Sequence, residues 1–488
     1  GIQYDENMIK ASMFHHLGGD SMMAIDVSHR IMKVAQSKGV EISPGQTITA
    51  NDLFENTIPS LYSMVVNGRE IMSQNSKRPR LNTGIDSNTT KLGLQELPDA
   101  TIYNETKAEN KLDLAWKLRL LMCVDAKPTI ISSEGLGLIA VGSQGGDCCI
   151  ANSAGKALSR LNVNGKVEGE MSLLERKLNR DEVQKYILYV CSYDIQYPPD
   201  GNPQRFGYVN AFEMESTGGL KRLWQYALNG EIKNKPVVFS LLQYHRIVAG
   251  SYNGTIIYLD AITGKLLDKL GNGSLGGAIH ADPIVIVEES QMKARAIVAS
   301  STWIGKVSCL CLDKESINVL WQIEISSPIY STPVSDADSN VIFIFAIDGS
   351  MRLIDASNGK ECWVKFIAKR PIFSSGCFVR TRDKTTIVFG SHDGFIRCVN
   401  IDGGIEWTFN TNAAILSTPL AVDNFKRLII PTSAGAIYSL SSDTGLEDKE
   451  PLQLDGEIFS SPCAGISHCE GTEIYVGCRD SCIYKIRV

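Results

Sequence analysis

We predict a multidomain chain of 488 residues, in which a small all-α helical bundle is followed by an all-β propeller with eight blades. Three features of the sequence support this fold class. Apolar residues recur with helical spacing near the start, this periodicity is lost between about residues 70 and 111, and a unit of about 40–50 residues then repeats to the end. The predicted boundaries are 1–70 for the helical domain, 71–111 for a flexible linker and 112–488 for the propeller.

The first predicted element is a helix that begins at Ser21, directly after the turn Gly18-Gly19-Asp20. Apolar residues follow with the three-to-four spacing of one buried helical face, at Ala24, Val27, Ile31 and Val34. Ser21 is therefore expected at a helix N-terminus, where unpaired backbone N–H groups and the helix dipole favour an attached phosphate. The alternative is an ordinary capped helix, because Asp and Ser are common N-cap residues.

Two later segments extend this pattern: a turn over 40–44, and residues 49–58, which lead into a last helix with a buried stripe. With them, residues 10–68 resemble the carrier, or thiolation, domains of nonribosomal peptide synthetases. In that family the serine of Gly-Gly-Asp-Ser bears 4′-phosphopantetheine, attached by a phosphopantetheinyl transferase that uses coenzyme A. The resemblance implies that Ser21 is the attachment site, with Gly18, Gly19 and Asp20 as its motif and Met22 as a partner contact.

The segment ahead of Ser21 is too short for the first helix that a carrier domain contains. We therefore expect a fragment of a longer protein, in which an adenylation domain lies upstream and is absent here. Met23 fits a core position as well as a partner contact.

Net charge, apolar runs and cysteine spacing indicate which classes of partner and which cellular compartment to expect. A net charge of −6 argues against general nucleic-acid binding, and no apolar run approaches the length of a membrane span. The 13 cysteines lack paired zinc spacing, so free thiols in the cytoplasm are expected, with disulfides or a metal site as the alternative. The basic cluster at 77–80 leaves a nuclear location open.

The repeat is clearest over residues 246–267, which read as strand, Asn-Gly turn, strand, Thr-Gly turn and strand. Related units follow at 345–363, 389–407 and 431–445. Their turn glycines recur at the spacing of a four-stranded propeller blade, at Gly254, Gly305, Gly349, Gly394 and Gly435.

Each unit opens with a short segment of small residues that we interpret as the innermost strand. Eight such strands are counted, starting near Val124, Val167, Ile232, Ile279, Ile329, Ile372, Ile415 and Ile458. Tryptophans in the outer strands (Trp224, Trp321, Trp363 and Trp407) make the units resemble pyrroloquinoline-quinone (PQQ) type repeats, whose tryptophan packs between blades. The last unit lacks an outer strand, so residues 112–120 around Trp116 are expected to pair with the strand around Tyr484 and close the ring. The insertion at 195–206 is too long for a tight turn.

The PQQ-type resemblance raises the alternative of a quinoprotein oxidoreductase. Such enzymes hold PQQ with calcium, oxygen ligands and a disulfide between adjacent cysteines. Cys148-Cys149 lies within a predicted strand, and the inner strands offer Ser, Thr and Ala, so we do not expect PQQ or a metal site. His280 and Asp282 are interpreted as a satisfied structural pair. A pure protein-interaction scaffold is a third alternative.

A carrier domain followed by such a propeller resembles the C-terminal half of the beta-alanine-activating enzyme family. There, an adenylate-forming domain uses ATP to activate an amino acid and loads it as a thioester on the carrier. The resemblance implies that this chain holds an amino acid, expected to be beta-alanine, without activating it. The propeller is then expected to dock an acceptor or a partner protein.

Overall fold

The computed structural model describes the chain over residues 100–103, 111–133, 136–176, 185–198, 203–215, 218–271, 273–288, 293–302, 305–336, 340–380, 384–465 and 472–488. Every element in these ranges is a β-strand, and the strands form eight antiparallel sheets. No helix in them is long and apolar enough to cross a membrane. The prediction of an eight-bladed propeller is therefore confirmed.

The predicted fold class as a whole is wrong for this structure. It combined an all-α domain with the propeller, but the described residues are all-β and contain no helix. The predicted domain at 1–70 and most of the predicted linker lie outside these residues. Helical periodicity alone was therefore not sufficient to establish a second fold class.

The first two strands belong to the last blade: β1 (Thr101–Ile102) and β2 (Asp113–Arg119). Blades 1 to 3 follow along the chain. Blade 1 contains β3 (Thr129–Ser133), β4 (Leu136–Gly142), β5 (Asp147–Asn152) and β6 (Ala157–Asn162). Blade 2 contains β7 (Ser172–Arg176), β8 (Lys185–Gln196), β9 (Gln204–Met214) and β10 (Leu220–Asn229). Blade 3 contains β11 (Val237–Leu241), β12 (Tyr244–Gly250), β13 (Ile256–Asp260) and β14 (Leu266–Leu270).

Blades 4 to 7 have the same order, from the innermost strand outwards. Blade 4 contains β15 (Ile284–Glu288), β16 (Lys293–Ala299), β17 (Gly305–Leu312) and β18 (Ile317–Ile325). Blade 5 contains β19 (Val334–Asp336), β20 (Val341–Phe345), β21 (Ser350–Asp355) and β22 (Glu361–Phe366). Blade 6 contains β23 (Cys377–Arg380), β24 (Thr385–Gly390), β25 (Phe395–Asn400) and β26 (Ile405–Asn410). Blade 7 contains β27 (Leu420–Val422), β28 (Arg427–Pro431), β29 (Ala436–Ser441) and β30 (Glu447–Gln453).

Blade 8 joins the two ends of the described chain. It consists of β31 (Cys463–Ala464), β32 (Glu473–Cys478) and β33 (Cys482–Arg487), followed outwards by β2 and β1. β2 runs antiparallel to β33, with Trp116 opposite Lys485 and Lys117 opposite Tyr484. This is the pairing that the sequence predicted, and it covers the edge that β33 would otherwise expose.

The segments counted as innermost strands are extended connections that precede those strands. Six of the eight inner strands begin directly after a proline, as β15 does after Pro283. Proline has no N–H to donate to a sheet ladder, so regular pairing starts only at the next residue. The apolar residue that marks each connection, such as Ile279 or Ile415, is fully buried.

Tryptophans join neighbouring blades, as the PQQ-type resemblance implied. Trp321 of blade 4 donates its indole N–H to the carbonyl of Ala356 in blade 5, at 3.0 Å. Its ring covers Gly359, where a Cβ atom would lie 2.5 Å from the indole. Gly359 also has a φ of 75°, which favours glycine at this turn.

The insertion in blade 2 continues the sheet as a long hairpin. The ladder between β8 and β9 extends out to the pair Gln196 and Gln204. The described part of the insertion at 195–206 is therefore mostly strand.

Candidate functional site

The eight connections into the inner strands line the central channel. In six of the eight, the buried apolar residue is followed by side chains that are alternately accessible and buried, as in an extended strand, whereas Phe373 of blade 6 is itself buried. We name the residue directly after the apolar one the upper-ring residue, and the residue two positions further the lower-ring residue. The upper ring, in blade order, is Asp125, Glu168, Lys233, His280, Tyr330, Phe373, Leu416 and Phe459. The lower ring is Lys127, Glu170, Lys235, Asp282, Thr332, Ser375, Thr418 and Ser461.

Contacts between adjacent blades connect the lower ring. Glu170 accepts from the ammonium groups of Lys127, at 3.3 Å, and Lys235, at 3.0 Å. Asp282 accepts from the backbone N–H of Lys235 at 2.7 Å, and its own N–H donates to Thr332 at 3.2 Å. Ion pairs therefore connect blades 1 to 3 in the lower ring. Hydrogen bonds from backbone N–H groups connect blade 3 to blade 4 and blade 4 to blade 5.

The upper ring is also charged in blades 1 to 3. Arg479 contacts both carboxylate oxygens of Asp125, at 3.1 and 3.3 Å, and Gln144 donates to the same carboxylate at 2.6 Å. The ammonium group of Lys233 lies 3.7 Å from Glu168, which also accepts from the Tyr193 hydroxyl. These charges are paired within the channel wall.

Aromatic rings continue the upper ring from blade 3 to blade 6. His280 lies edge-on between Tyr252 and Tyr330, with ring centroids 5.8 and 5.3 Å away. Tyr330 is followed by Phe373 at 5.6 Å, and Phe373 by His392 at 5.0 Å. One side of the channel is therefore charged, and the other offers apolar and aromatic surface.

Burial changes the pKa values of the titratable side chains in the channel. It lowers the pKa of His280 to about 4, with the Lys233 charge acting in the same direction, so this imidazole is neutral at pH 7. Burial also raises the pKa values of Asp125 and Asp282, although Arg479 and the Lys235 backbone N–H oppose it. At Glu168 the Lys233 charge and the Tyr193 hydroxyl outweigh burial, and the pKa is lowered.

The channel shows which site residues the sequence did and did not reveal. His280 and Asp282 both line it, but each contacts other residues, so they are not the mutual pair that we expected. Sequence analysis did not identify the charged channel residues of blades 1 to 3, because they do not recur in the other blades. They also lie in connections that we interpreted as strands of small residues. Their signal is the recurring pattern of a buried apolar residue four positions before a proline.

The other predicted site residues lie elsewhere. Ser21, Gly18, Gly19, Asp20 and Met22 are outside the described residues. Cys148 and Cys149 are buried free thiols in β5 and face different core clusters. Within the described ranges, no group of three His, Cys, Asp or Glu side chains could hold a metal ion.

The family model for the beta-propeller of beta-alanine-activating enzyme matches residues 120–488. The chain belongs to this family.

Relatives of this beta-propeller family are found in several animals, each called beta-alanine-activating enzyme. The human protein is 35% identical over 103 residues, which cover 20% of this chain and 9% of the relative. The Drosophila melanogaster protein is 25% identical over 178 residues, or 35% of this chain and 17% of the relative. The matched segments thus span less than a fifth of these relatives.

Solved structures share the fold at low sequence identity. Sqt1 from Saccharomyces cerevisiae has a TM-score of 0.56 and 11% identity, covering 80% of this chain and 99% of that one. BamB from Moraxella catarrhalis has a TM-score of 0.52 and 12% identity, covering 77% and 100%. The designed protein Ika8 has a TM-score of 0.54 and 14% identity, covering 78% and 100%. These similarities concern the propeller fold alone.

Proposed function

We propose that this chain is the carrier and propeller part of an ATP-dependent amino-acid-activating enzyme. Ser21 carries 4′-phosphopantetheine, and Gly18, Gly19 and Asp20 form the attachment motif. The observation that carries the proposal is the occurrence of this motif ahead of a propeller of the beta-alanine-activating enzyme family, matched over 120–488. In the proposal the chain itself does not activate the amino acid.

The chemistry divides between Ser21 and the prosthetic group. The Ser21 hydroxyl oxygen loses its proton and forms a phosphodiester bond with the pantetheine-linked phosphorus of coenzyme A, in a reaction catalysed by a phosphopantetheinyl transferase that contacts Met22. The pyrophosphate bond of coenzyme A breaks, and adenosine 3′,5′-bisphosphate leaves. When bound, the group supplies a terminal thiol that holds the amino acid, proposed to be beta-alanine, as a thioester. The upstream adenylation domain, which uses ATP, provides the activated amino acid. Ser21 is thus an anchor and not a nucleophile toward the amino acid.

The propeller has the role of an acceptor-binding or docking module in this scheme. Its channel combines paired charges with an aromatic side, an arrangement suited to a ligand that has both a polar and an apolar part. The composition supports the cytoplasm as the place of this reaction.

Intact-mass spectrometry tests the attachment. The chain is incubated with coenzyme A and a phosphopantetheinyl transferase, beside two variants, Ser21→Ala and the nearby control Ser12→Ala. We expect one phosphopantetheinyl group on the native chain and on Ser12→Ala, and none on Ser21→Ala. A modification that persists in Ser21→Ala would overturn the assignment.

A further inference from the structure

Asp282 differs from the other acidic residues of the two channel rings. The carboxylates of Asp125, Glu168 and Glu170 each contact a lysine or arginine. The Asp282 carboxylate accepts only the backbone N–H of Lys235, and no ammonium or guanidinium group of the described chain lies within ion-pair distance of it. One accepted hydrogen bond leaves about three of the four acceptor positions of this carboxylate for a ligand.

The neighbouring lysine ammonium groups form no ion pair with the Asp282 carboxylate. The ammonium group of Lys235 is engaged by Glu170 at 3.0 Å, and Lys127 contacts the same Glu170. His280, two positions before Asp282 on the same accessible side, is a neutral imidazole at pH 7 because of its lowered pKa. A carboxylate with no contacting cation in a partly desolvated channel favours an added cation.

The surroundings of Asp282 indicate what kind of cation fits. A metal ion would require further ligands, but no group of three His, Cys, Asp or Glu side chains converges in the described residues. The hydroxyl of Thr332 in the next blade accepts the Asp282 backbone N–H, and the upper ring carries the contacting rings of His280 and Tyr330 beside it. A carboxylate, a hydroxyl and neighbouring aromatic side chains suit an ammonium group attached to an apolar body.

We propose that the channel binds a primary amine, with its ammonium group at Asp282 and its apolar body against Tyr330. This binding site does not depend on Ser21. Its role as the acceptor site for the carried amino acid rests on the function proposed above. The amine can come from a small aromatic amine or from a lysine side chain, since both present an ammonium group on an apolar stem.

Isothermal titration calorimetry on the full chain carrying Ser21→Ala tests binding separately from phosphopantetheine attachment. The probes are 2-phenylethylamine and N-acetyl-lysine amide, with 2-phenylethanol and 3-phenylpropionate as neutral and anionic controls. We compare Asp282→Asn, Asp282→Thr and the control Asp402→Asn, whose carboxylate lies on the exposed surface. Threonine already occupies the lower ring in blades 5 and 7, so Asp282→Thr preserves a residue type that this fold accepts.

We expect saturable binding of at least one amine, weakened about tenfold or more by either Asp282 substitution and unchanged by Asp402→Asn. Preference for 2-phenylethylamine identifies a small aromatic amine as the ligand class, whereas preference for the lysine derivative identifies a protein side chain. The proposal is overturned if neither amine binds, if 3-phenylpropionate binds better than the amines, or if Asp282→Thr binds like the native chain. Failure of phosphopantetheine attachment leaves this result unaffected.

Discussion

Replacing Trp116 with alanine tests how the ring is closed. Trp116 lies in β2, the strand that completes blade 8, and only 3% of its surface is exposed. Its ring centroid is 5.8 Å from that of Tyr475, and its indole covers Gly155 of blade 1, where a Cβ atom would lie 3.1 Å from the ring. The side chain thus connects the last blade to the first.

The expected loss follows from packing more than from hydrogen bonding. The indole N–H donates to the Ser153 carbonyl at 3.0 Å, but the Lys485 ammonium donates to the same oxygen at 2.9 Å. That acceptor therefore keeps a partner in Trp116→Ala, and the cost is that of a large buried cavity, about 3–5 kcal/mol. The entropy of unfolding grows with domain size, so each kcal/mol shifts the melting temperature of a propeller of this size by only about 1.3 °C, and we expect a fall of roughly 4–6 °C.

Differential scanning calorimetry measures this loss, with Arg119→Ala as the control. Arg119 lies on the same strand, but its side chain is exposed, so its removal should change stability by less than about 0.5 kcal/mol. A Trp116→Ala variant that melts within about 1 °C of the native chain would refute the closure argument, because the contact between blades 8 and 1 would then contribute nothing.

Three further predictions concern the blades. Gly250→Ala should destabilise the chain by about 1–3 kcal/mol in urea unfolding, because the added Cβ would lie 2.5 Å from the buried Ile279; native stability would show that Ile279 can move aside. Asp393→Asn should cost about 3 kcal/mol at pH 7, because it leaves the buried Arg397 without its carboxylate partner at 2.7 Å. Hydrogen bonds from Arg397 and Ser391 outweigh burial and lower the Asp393 pKa to about 2, so this difference should shrink as the pH falls from about 4 to 2; a constant difference down to pH 2 would contradict the ion pair. Thiol titration of the denatured, unreduced chain should find most of the 13 cysteines reactive, and recovery of only one or two would indicate disulfides.

The sequence was most informative where the fold depends on turn chemistry and on repetition. Turns occur at the predicted positions Asn253-Gly254 and Gly359, and both glycines have positive φ angles. The spacing of these turns indicated the size of one blade, and the eight small-residue segments interpreted as innermost strands gave the number of blades. Trp116 could be assigned to the last blade because it forms an outer strand without a blade of its own.

The channel could not be predicted to the same extent. Its connections have strand-like alternation but lack ladder partners, because a proline such as Pro283 or Pro333 delays pairing. Their accessible positions change from charged in blade 1 to hydroxyl or apolar in blade 7, so the repeat does not reveal them by similarity. The ion pairs of Glu170 with Lys127 and Lys235 join side chains from three different blades. Only the folded ring brings these side chains together.

Transfer of labelled beta-alanine tests the proposed function most directly. The chain, first loaded with phosphopantetheine, is incubated with ATP, radiolabelled beta-alanine and the adenylation domain of a beta-alanine-activating enzyme. We predict a covalent label that hydroxylamine releases, as expected for a thioester, and that is absent from Ser21→Ala. Absence of label on the loaded native chain, or equal labelling of Ser21→Ala, would contradict a carrier function.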